Sequence, residues 1–439
     1  MVDFTLSPSE LQAQAAARSF AATHLATAAA HYPRLPTPEA RFQSLRPIYE
    51  AAVKAGLLTA QVPAAAGGSS TSLVEAAILV EEFYAVEASA SLTIFGTGLG
   101  LTPLVLAYRP EVHEFLAPFL SGTGSPLASL VFSEPAGVAN WLEPGAPGLQ
   151  TTARRDGNEW VLNGEKMWAT NSAGWDFQGA DLSCVVCRCI DDEVVARAAH
   201  PSDLIMVLIV TRADVDRNPV GSFHVVKHVD TAGHVAVSGP HITYTNLRVP
   251  AKNVLCNPGT GAPIVTQSFD ISAMLVGAMG TGIQRAVFDA ALAFSRDSRG
   301  GTMPIGQRQS VADRLIDIKM RTETSRYLTW KAAHCLLSGP GEHAQRREPA
   351  LLAKIYSSDA SVQSCIDAMN AVGVSAYNVE LPFASLLSTA LVLPIFDGGN
   401  VGIRRRAVQN LFMGEGYQPW ATTFGLHTDE KADPDNAAQ

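Results

Sequence analysis

What the chain lacks narrows its function first. Charged residues make up only 17% of the 439 positions, and no long basic run occurs, so neither a solvated disordered type nor a nucleic-acid-binding surface is indicated. The formal charge of −9 points the same way. No apolar stretch reaches the roughly 20 residues that span a bilayer. The run GLGLTPLVLA (Gly98–Ala107) is half that length and is broken by Pro103, which predicts a buried helix. The start, MVDFTLSPSE, has no secretory signal, and the end, DNAAQ, carries no address of the SKL type. A soluble protein of the cytoplasm is expected.

Cysteine is scarce as well. Cys184, Cys187 and Cys189 stand close together in LSCVVCRCI, but no His or Cys cluster of zinc spacing follows, so no metal site is expected. The run reads as a buried strand in which free cysteine acts as a small hydrophobe. Cys256, Cys335 and Cys365 are scattered, as in a reduced protein.

Hydrophobic residues at 47% are enough for a large interior, and the length suggests two or three domains. Ser7-Pro8-Ser9-Glu10 reads as a capping box opening an alanine-rich helix to about Ala30. Thr37-Pro38-Glu39 opens another helix that stops near Gly56. Pro63 to Ser70 reads as a loop, and Ser72–Tyr84 is amphipathic and helical. Near residue 125 the pattern changes to short β-branched runs separated by Gly, Pro, Asn and Asp: LASLVF, EWVLNG, LSCVVCRCI, LIMVLIVT, HVVKHV and HITYTNLRV. After Pro250 the helical period returns, in Gln267–Phe294, Ser310–Leu337 and Pro349–Val372. The fold class is therefore α+β: an N-terminal helical domain (1–125), a central antiparallel β domain (126–250), a C-terminal four-helix bundle (251–422) and a polar tail (423–439).

Crevices between such domains are where cofactors bind. Four segments there look unlike generic packing: Phe132–Gly137, Asn163–Asn171, the stretch from Arg299-Gly300-Gly301 to Arg308 and Gln309, and the glycine-loosened loop Phe396–Arg404 with its single carboxylate, Asp397. Taken singly, each has a plainer reading. Asp397 could cap a turn or pair with Arg404, Trp168 could be core, Ser133 a strand-end hydroxyl, and Arg299 a surface charge.

Together, the segments resemble the acyl-CoA dehydrogenase superfamily. AGLL…VP…GG (Ala55–Gly68), the Ser-Glu-Pro segment, LNGEKMWATN (Leu162–Asn171), SGPHITYTNLRVPAKNVL (Ser238–Leu255) and the final acid-glycine loop occur in that family's order over nearly the whole chain. In detail the chain is similar to the oxidase branch, the nitroalkane oxidases, through MVDF, LSPS, SEPAGVANW, GLQTTAR, GADLSCVVCR, SRGG and FDGGNVGIRRR. The resemblance implies FAD as cofactor, a small nitroalkane and oxygen as substrates, and a homo-oligomer, a tetramer in the family's manner. Carried onto this sequence, it implies that Ser133 bonds the flavin pyrimidine, that Trp168 packs beside the isoalloxazine and that Thr170 bonds its N5 edge, with Asn171 adjoining. Arg299, Arg308 and Gln309 would reach the FAD of a neighbouring subunit, with Asn370, Gly373 and Val374 on its adenine side, and Gly398 and Gly399, which loosen the catalytic loop, would also bind the cofactor. Asp397 would be the base, Arg404 its arginine, and Ser272, on the facing helix, a hydrogen-bond partner that orients Asp397.

Two departures from the dehydrogenases stand out. The acid is Asp where they use Glu, and Val138-Ala139-Asn140 replaces their Gly-Ser-Asp, which puts a phosphate contact in doubt. Some dehydrogenases place the base just before the Ser272 position; here Ile271 stands there, leaving Asp397 as the candidate. An acyl-CoA dehydrogenase activity, or a non-catalytic binding or scaffold role on the same fold, are the alternative readings.

Overall fold

The structure is a computed structural model, and it describes residues 5–426. Motif MVDF and the polar stretch after Leu426 lie outside the described residues. The chain runs through helices, a sheet and helices again.

Ser7 caps helix Pro8–Phe20, accepting from the Glu10 amide at 3.3 Å while the Glu10 carboxylate accepts from the Ser7 amide at 2.7 Å. The same helix continues through a π-helical turn, Ala21–Leu25, into Ala26–His31. Thr37 opens Pro38–Ser44, but the helix expected to reach Gly56 is two helices. Arg46–Lys54 begins afresh because Pro47 has no N–H to continue the ladder. Helices Leu73–Tyr84 and Ala88–Leu106 follow, capped by the Ser72 hydroxyl and the Glu87 carboxylate.

One expectation needs correcting. Two helices, Ala88–Leu106 and Gly261–Asp297, are long and apolar enough to cross a membrane. Pro103 does not interrupt the first; 72% and 67% of their most apolar stretches are buried inside the protein, so both are core helices here.

Eight strands form one sheet: β1 (Ala128–Val131), β2 (Thr152–Asp156), β3 (Glu159–Met167), β4 (Leu182–Cys189), β5 (Ile205–Thr211), β6 (Phe223–Lys227), β7 (His241–Pro250) and β8 (Val254–Cys256). Their order is β6-β7-β3-β2-β4-β5-β8, with β1 beside β4. The sheet is mixed, not antiparallel throughout: β1 and β2 both pair with β4 in parallel. The segments between these strands are long enough to return the chain in the same direction, which a two-residue hairpin cannot do. Continuous burial of β1 and near-continuous burial of β4 are the sequence trace of strands covered on both faces. Strand β2 carries no apolar run, because TARRD is polar; it is fixed by the Gly157-Asn158 hairpin to β3. Strand β8 lies beyond the expected boundary at residue 250. All six cysteines are buried and unpaired, three of them in β4.

Three long helices make the C-terminal bundle: Gly261–Asp297, Gln309–Ser338 and Glu348–Val372. In place of a fourth long helix, short ones (Phe383–Ala390 and Arg405–Phe412) pack against them, separated by the Pro394 to Gly399 turn region. That turn carries the candidate site.

The helix Ala88–Leu106 meets β1 so closely that a Cβ at Gly100 would sit 2.3 Å from the Ser129 backbone nitrogen. Gly100→Ala should therefore destabilise the protein by about 1–3 kcal/mol, towards the upper end because backbone must move. Urea denaturation checks this; an unchanged midpoint would mean that the helix is not pressed on the strand.

Candidate active site

Asp397 follows the turn after Pro394 and has a left-handed backbone, φ 51°; Gly398 after it is also left-handed, φ 76°. A side chain at Gly398 would meet the Arg404 guanidinium at 2.9 Å, so glycine is needed there on two counts. Asn400–Arg404 then forms a π-helical turn that brings Arg404 back over the loop.

The Asp397 carboxylate is only 6% exposed. Ser272, on the first bundle helix, donates its hydroxyl to Asp397 Oδ1 at 2.7 Å. Arg404 Nη2 donates to Oδ2 at 3.0 Å and to the Asp397 carbonyl at 2.6 Å, and also to the Phe269 carbonyl at 2.9 Å. Burial pushes the Asp397 carboxyl above the usual aspartate range; the Arg404 charge, the Ser272 hydrogen bond and Lys354 oppose it without cancelling it.

Residues that sequence reasoning missed support this loop. Lys354, fully buried on the third long helix, donates to the Gly398 carbonyl at 3.1 Å and to Asn400 Oδ1 at 2.7 Å. Desolvation lowers its pKa to about 8. The Asn400 amide donates to Ser358 Oγ at 2.9 Å and Asp359 Oδ1 at 2.8 Å. Asp270, with no exposed surface, accepts from His343 at 3.0 Å and Arg347 at 2.9 Å, and lies 3.6 Å from Arg404. The available signal was a lone Lys in the apolar helical run ALLAKIYSS, and an acid two residues before Ser272.

The end of β1 faces the same place. Phe132 packs on Phe269 with ring centroids 5.3 Å apart. Arg406 donates to Asn140 Oδ1 at 2.9 Å and to the Ala139 carbonyl at 3.3 Å, so the segment replacing Gly-Ser-Asp binds the helix after the catalytic loop. Ser133, half-buried, accepts the Met167 amide at its carbonyl, 2.9 Å, which sets it beside Trp168. A buried ion pair holds this corner. Lys166 Nζ bonds Glu134 Oε1 at 3.0 Å and the Phe132 carbonyl at 2.8 Å, and Glu134 also accepts the amides of Gln150 and Thr151.

Trp168 is 52% exposed at a left-handed φ of 67°, a conformation that a bulky residue adopts only under constraint. It lies against Gly239, next to the Ser133 strand end and the half-buried Thr170. An exposed indole on strained backbone beside two hydroxyl side chains fits a planar flavin. Asn171 is different. Its side-chain nitrogen points inward, donating to the Thr93 carbonyl at 2.9 Å and to Thr97 Oγ1 at 3.2 Å, so it anchors the loop to the N-terminal helices and that donor is not free for a cofactor. Gly398 and Gly399 likewise serve the loop, their carbonyls accepting from Lys354 and from the amides of Ile403 and Arg404.

The remaining candidates are not brought to this cluster. About 25 residues of one helix separate Ser272 from Asp297, a rise of about 38 Å, and Arg299, Arg308 and Gln309 lie beyond that end, all exposed. About 18 residues, or about 27 Å, separate Lys354 from Val372, after which Gly373 turns with φ 77° and Val374 is 91% exposed. Asn370 is exposed on the same end.

Known proteins resemble this chain over nearly its whole length. Residues 7–123 match the family model of the acyl-CoA dehydrogenase N-terminal domain, and residues 259–411 that of the C-terminal domain. The chain is 58% identical to a nitroalkane oxidase of Podospora anserina over 97% of this chain and 99% of that one. It is 48% identical to a nitroalkane oxidase of Fusarium oxysporum over 98% and 100%. Among solved structures, the Podospora anserina nitroalkane oxidase superposes with a TM-score of 0.93 at 57% identity, covering 97% of this chain and 100% of that one. An active-site mutant of nitroalkane oxidase crystallized with 1-nitrooctane gives 0.94 at 48% identity, with coverage of 97% and 100%.

Lys166→Met would leave Glu134 buried with its charge uncompensated by any cation. A loss of about 3–5 kcal/mol is expected, at the lower end because two amides remain as partners. Chemical denaturation measures it, and a loss below about 1 kcal/mol would show that the pair does not hold the corner.

Proposed function

The chain belongs to the nitroalkane oxidases of the acyl-CoA dehydrogenase family, and from that premise we propose that it is a flavoprotein oxidase in which Asp397 removes the α-proton of a neutral nitroalkane. The reaction is nitroalkane, oxygen and water to aldehyde or ketone, nitrite and hydrogen peroxide. The observation that carries the assignment of roles is a buried carboxylate, Asp397, fixed on both oxygens by Ser272 and Arg404, in the turn between the bundle and the Ser133–Trp168 corner.

The flavin, when bound, accepts two electrons from the deprotonated substrate and passes them to oxygen. We take it to be FAD, with Ser133, Trp168 and Thr170 holding its ring system. The chain's own task is proton transfer. Carbon acids lose protons slowly at neutral pH, so the base must be positioned and poorly hydrated. Burial raises the basicity of Asp397, Ser272 orients the carboxylate, and Arg404 favours its ionised form and balances the charge of the nitronate formed when the proton leaves the substrate carbon.

Arg299, Arg308, Gln309, Asn370, Gly373 and Val374 would complete a cofactor site on a second subunit, since about 38 Å of helix keeps the first three from their own Asp397. Val374, Tyr377, Val379 and Val401 are each more than four-fifths exposed on the bundle, which supports a closed homo-oligomer, a tetramer in our reading. The purified protein should be yellow, and light scattering should report four chains. A monomer that still holds FAD tightly would refute the shared site.

Asp397→Asn is nearly isosteric, so fold and flavin content should survive. Nitrite and peroxide release from a neutral nitroalkane should fall by about 10²–10⁴. A preformed nitronate has already lost its proton and should still be oxidised at an appreciable fraction of the wild-type rate. Equal loss on both substrates would make Asp397 structural; no loss on either would place the base elsewhere. An enoyl product from acyl-CoA without nitrite from any nitroalkane would point instead to dehydrogenase chemistry.

The pH dependence has a definite sign. Only ionised Asp397 accepts the proton, and burial holds its pKa above the ordinary value of about 3.9. Wild-type kcat/KM for a neutral nitroalkane should therefore rise with pH through a limb above that value, and the limb should be missing for the nitronate.

A further inference from the structure

Arg404 has two carboxylates to serve. Its Nη2 meets Asp397 at 3.0 Å, and its Nη1 lies 3.6 Å from Asp270. Both side chains of this shared ion group are buried, and Asp270 has no exposed surface at all. On its far side Asp270 faces His343 at 3.0 Å and Arg347 at 2.9 Å, both on the segment that leads into the third long helix. Phe269, Asp270 and Ser272 are nearly consecutive on the first bundle helix. Through a carbonyl, a carboxylate and a hydroxyl, they hold the arginine and the base together.

We propose that Asp270 is a positioning residue for the proton transfer: by dividing the Arg404 guanidinium with Asp397, it fixes Arg404 and limits the positive charge that the base feels. This rests on the reading of Asp397 as the base. An undivided Arg404 would favour ionised Asp397 more strongly and so make it a weaker base. The second carboxylate keeps the arginine in place without that loss of basicity. The charges facing Asp397 are Arg404 from its own loop and Lys354 from the third long helix. Those facing Asp270 are Arg404, His343 and Arg347.

Two substitutions should move the base in opposite directions. Asp270→Asn removes a negative charge, so the acid limb of kcat/KM for a neutral nitroalkane should move down by about one pH unit. Its plateau should fall several-fold with the weaker base, while nitronate oxidation stays near wild type. Arg347→Gln leaves Asp270 less compensated, so the limb should move up. A merely structural role would change flavin content or stability without this opposed shift.

The Asp397 carboxyl can also be titrated without turnover, from its infrared band in the flavin-loaded protein, assigned by its loss in Asp397→Asn. The band should follow the same two shifts. If Asp270→Asn does not fold, Arg347→Gln decides: an upward shift supports the proposal and an unmoved titration overturns it. A wild-type protein that releases no nitrite, yet shows the opposed infrared shifts, would refute the oxidase reading and leave the charge division standing. An active wild type whose Asp397 titrates identically in both variants would do the reverse.

Discussion

Burying an acid at a site that must accept a proton creates the central constraint of this molecule. A carboxylate removed from water is more basic, which the chemistry needs, but an isolated buried charge is too costly to keep. The fold answers with partners that compensate Asp397 only in part. Arg404 is held by two backbone carbonyls as well as by Asp397, and Asp270 draws on it from the other side. Lys354 stabilises the loop through the Gly398 carbonyl and Asn400 and contributes its charge at longer range. The net effect remains on the side of burial, since the Asp397 pKa stays raised.

Holding these charges in register requires three separate elements to meet. The first bundle helix brings Phe269 to Ser272, the third brings Lys354, and the π-helical turn brings Arg404. A regular α-helical turn there would rotate Arg404 relative to Gly399, to whose carbonyl, five residues back, the Arg404 amide donates. The sheet domain is joined to this centre by Phe132 on Phe269 and by Arg406 on Asn140, so the Ser133–Trp168 corner cannot drift from the base without breaking both contacts. Function here depends on inter-domain packing as much as on any single side chain.

Much of this was legible in the sequence because local rules dominate it. The capping box at Ser7, the caps at Thr37 and Ser72 and the apolar strand runs follow from short-range chemistry. The resemblance supplied Asp397, Arg404, Ser272, Ser133, Trp168 and Thr170, and the structure gathers these into one region. What escaped was non-local. Parallel pairing of β1 and β2 with β4 depends on where long connections run, which periodicity does not encode. Asn171 reads as part of a cofactor motif, yet its amide nitrogen serves the helix Ala88–Leu106, some 75 residues away in sequence. Asp270 and Lys354 look like stray charges in apolar helices until their partners, far along the chain, are known.

The choice of aspartate over glutamate at the base can be argued from the same geometry. Position 397 has φ 51°, a left-handed conformation that Asp and Asn tolerate better than longer side chains. Two left-handed residues in succession, Asp397 and Gly398, turn the chain sharply enough for Arg404 to reach back to the Asp397 carbonyl at 2.6 Å. A shorter acid thus suits both the backbone and the reach, because the carboxylate already meets Ser272 at 2.7 Å and Arg404 at 3.0 Å. One more methylene would push it past both partners or force the loop to unwind. The base, its turn and the arginine that answers it therefore form one unit, and a change in acid length would have to be accompanied by a different turn.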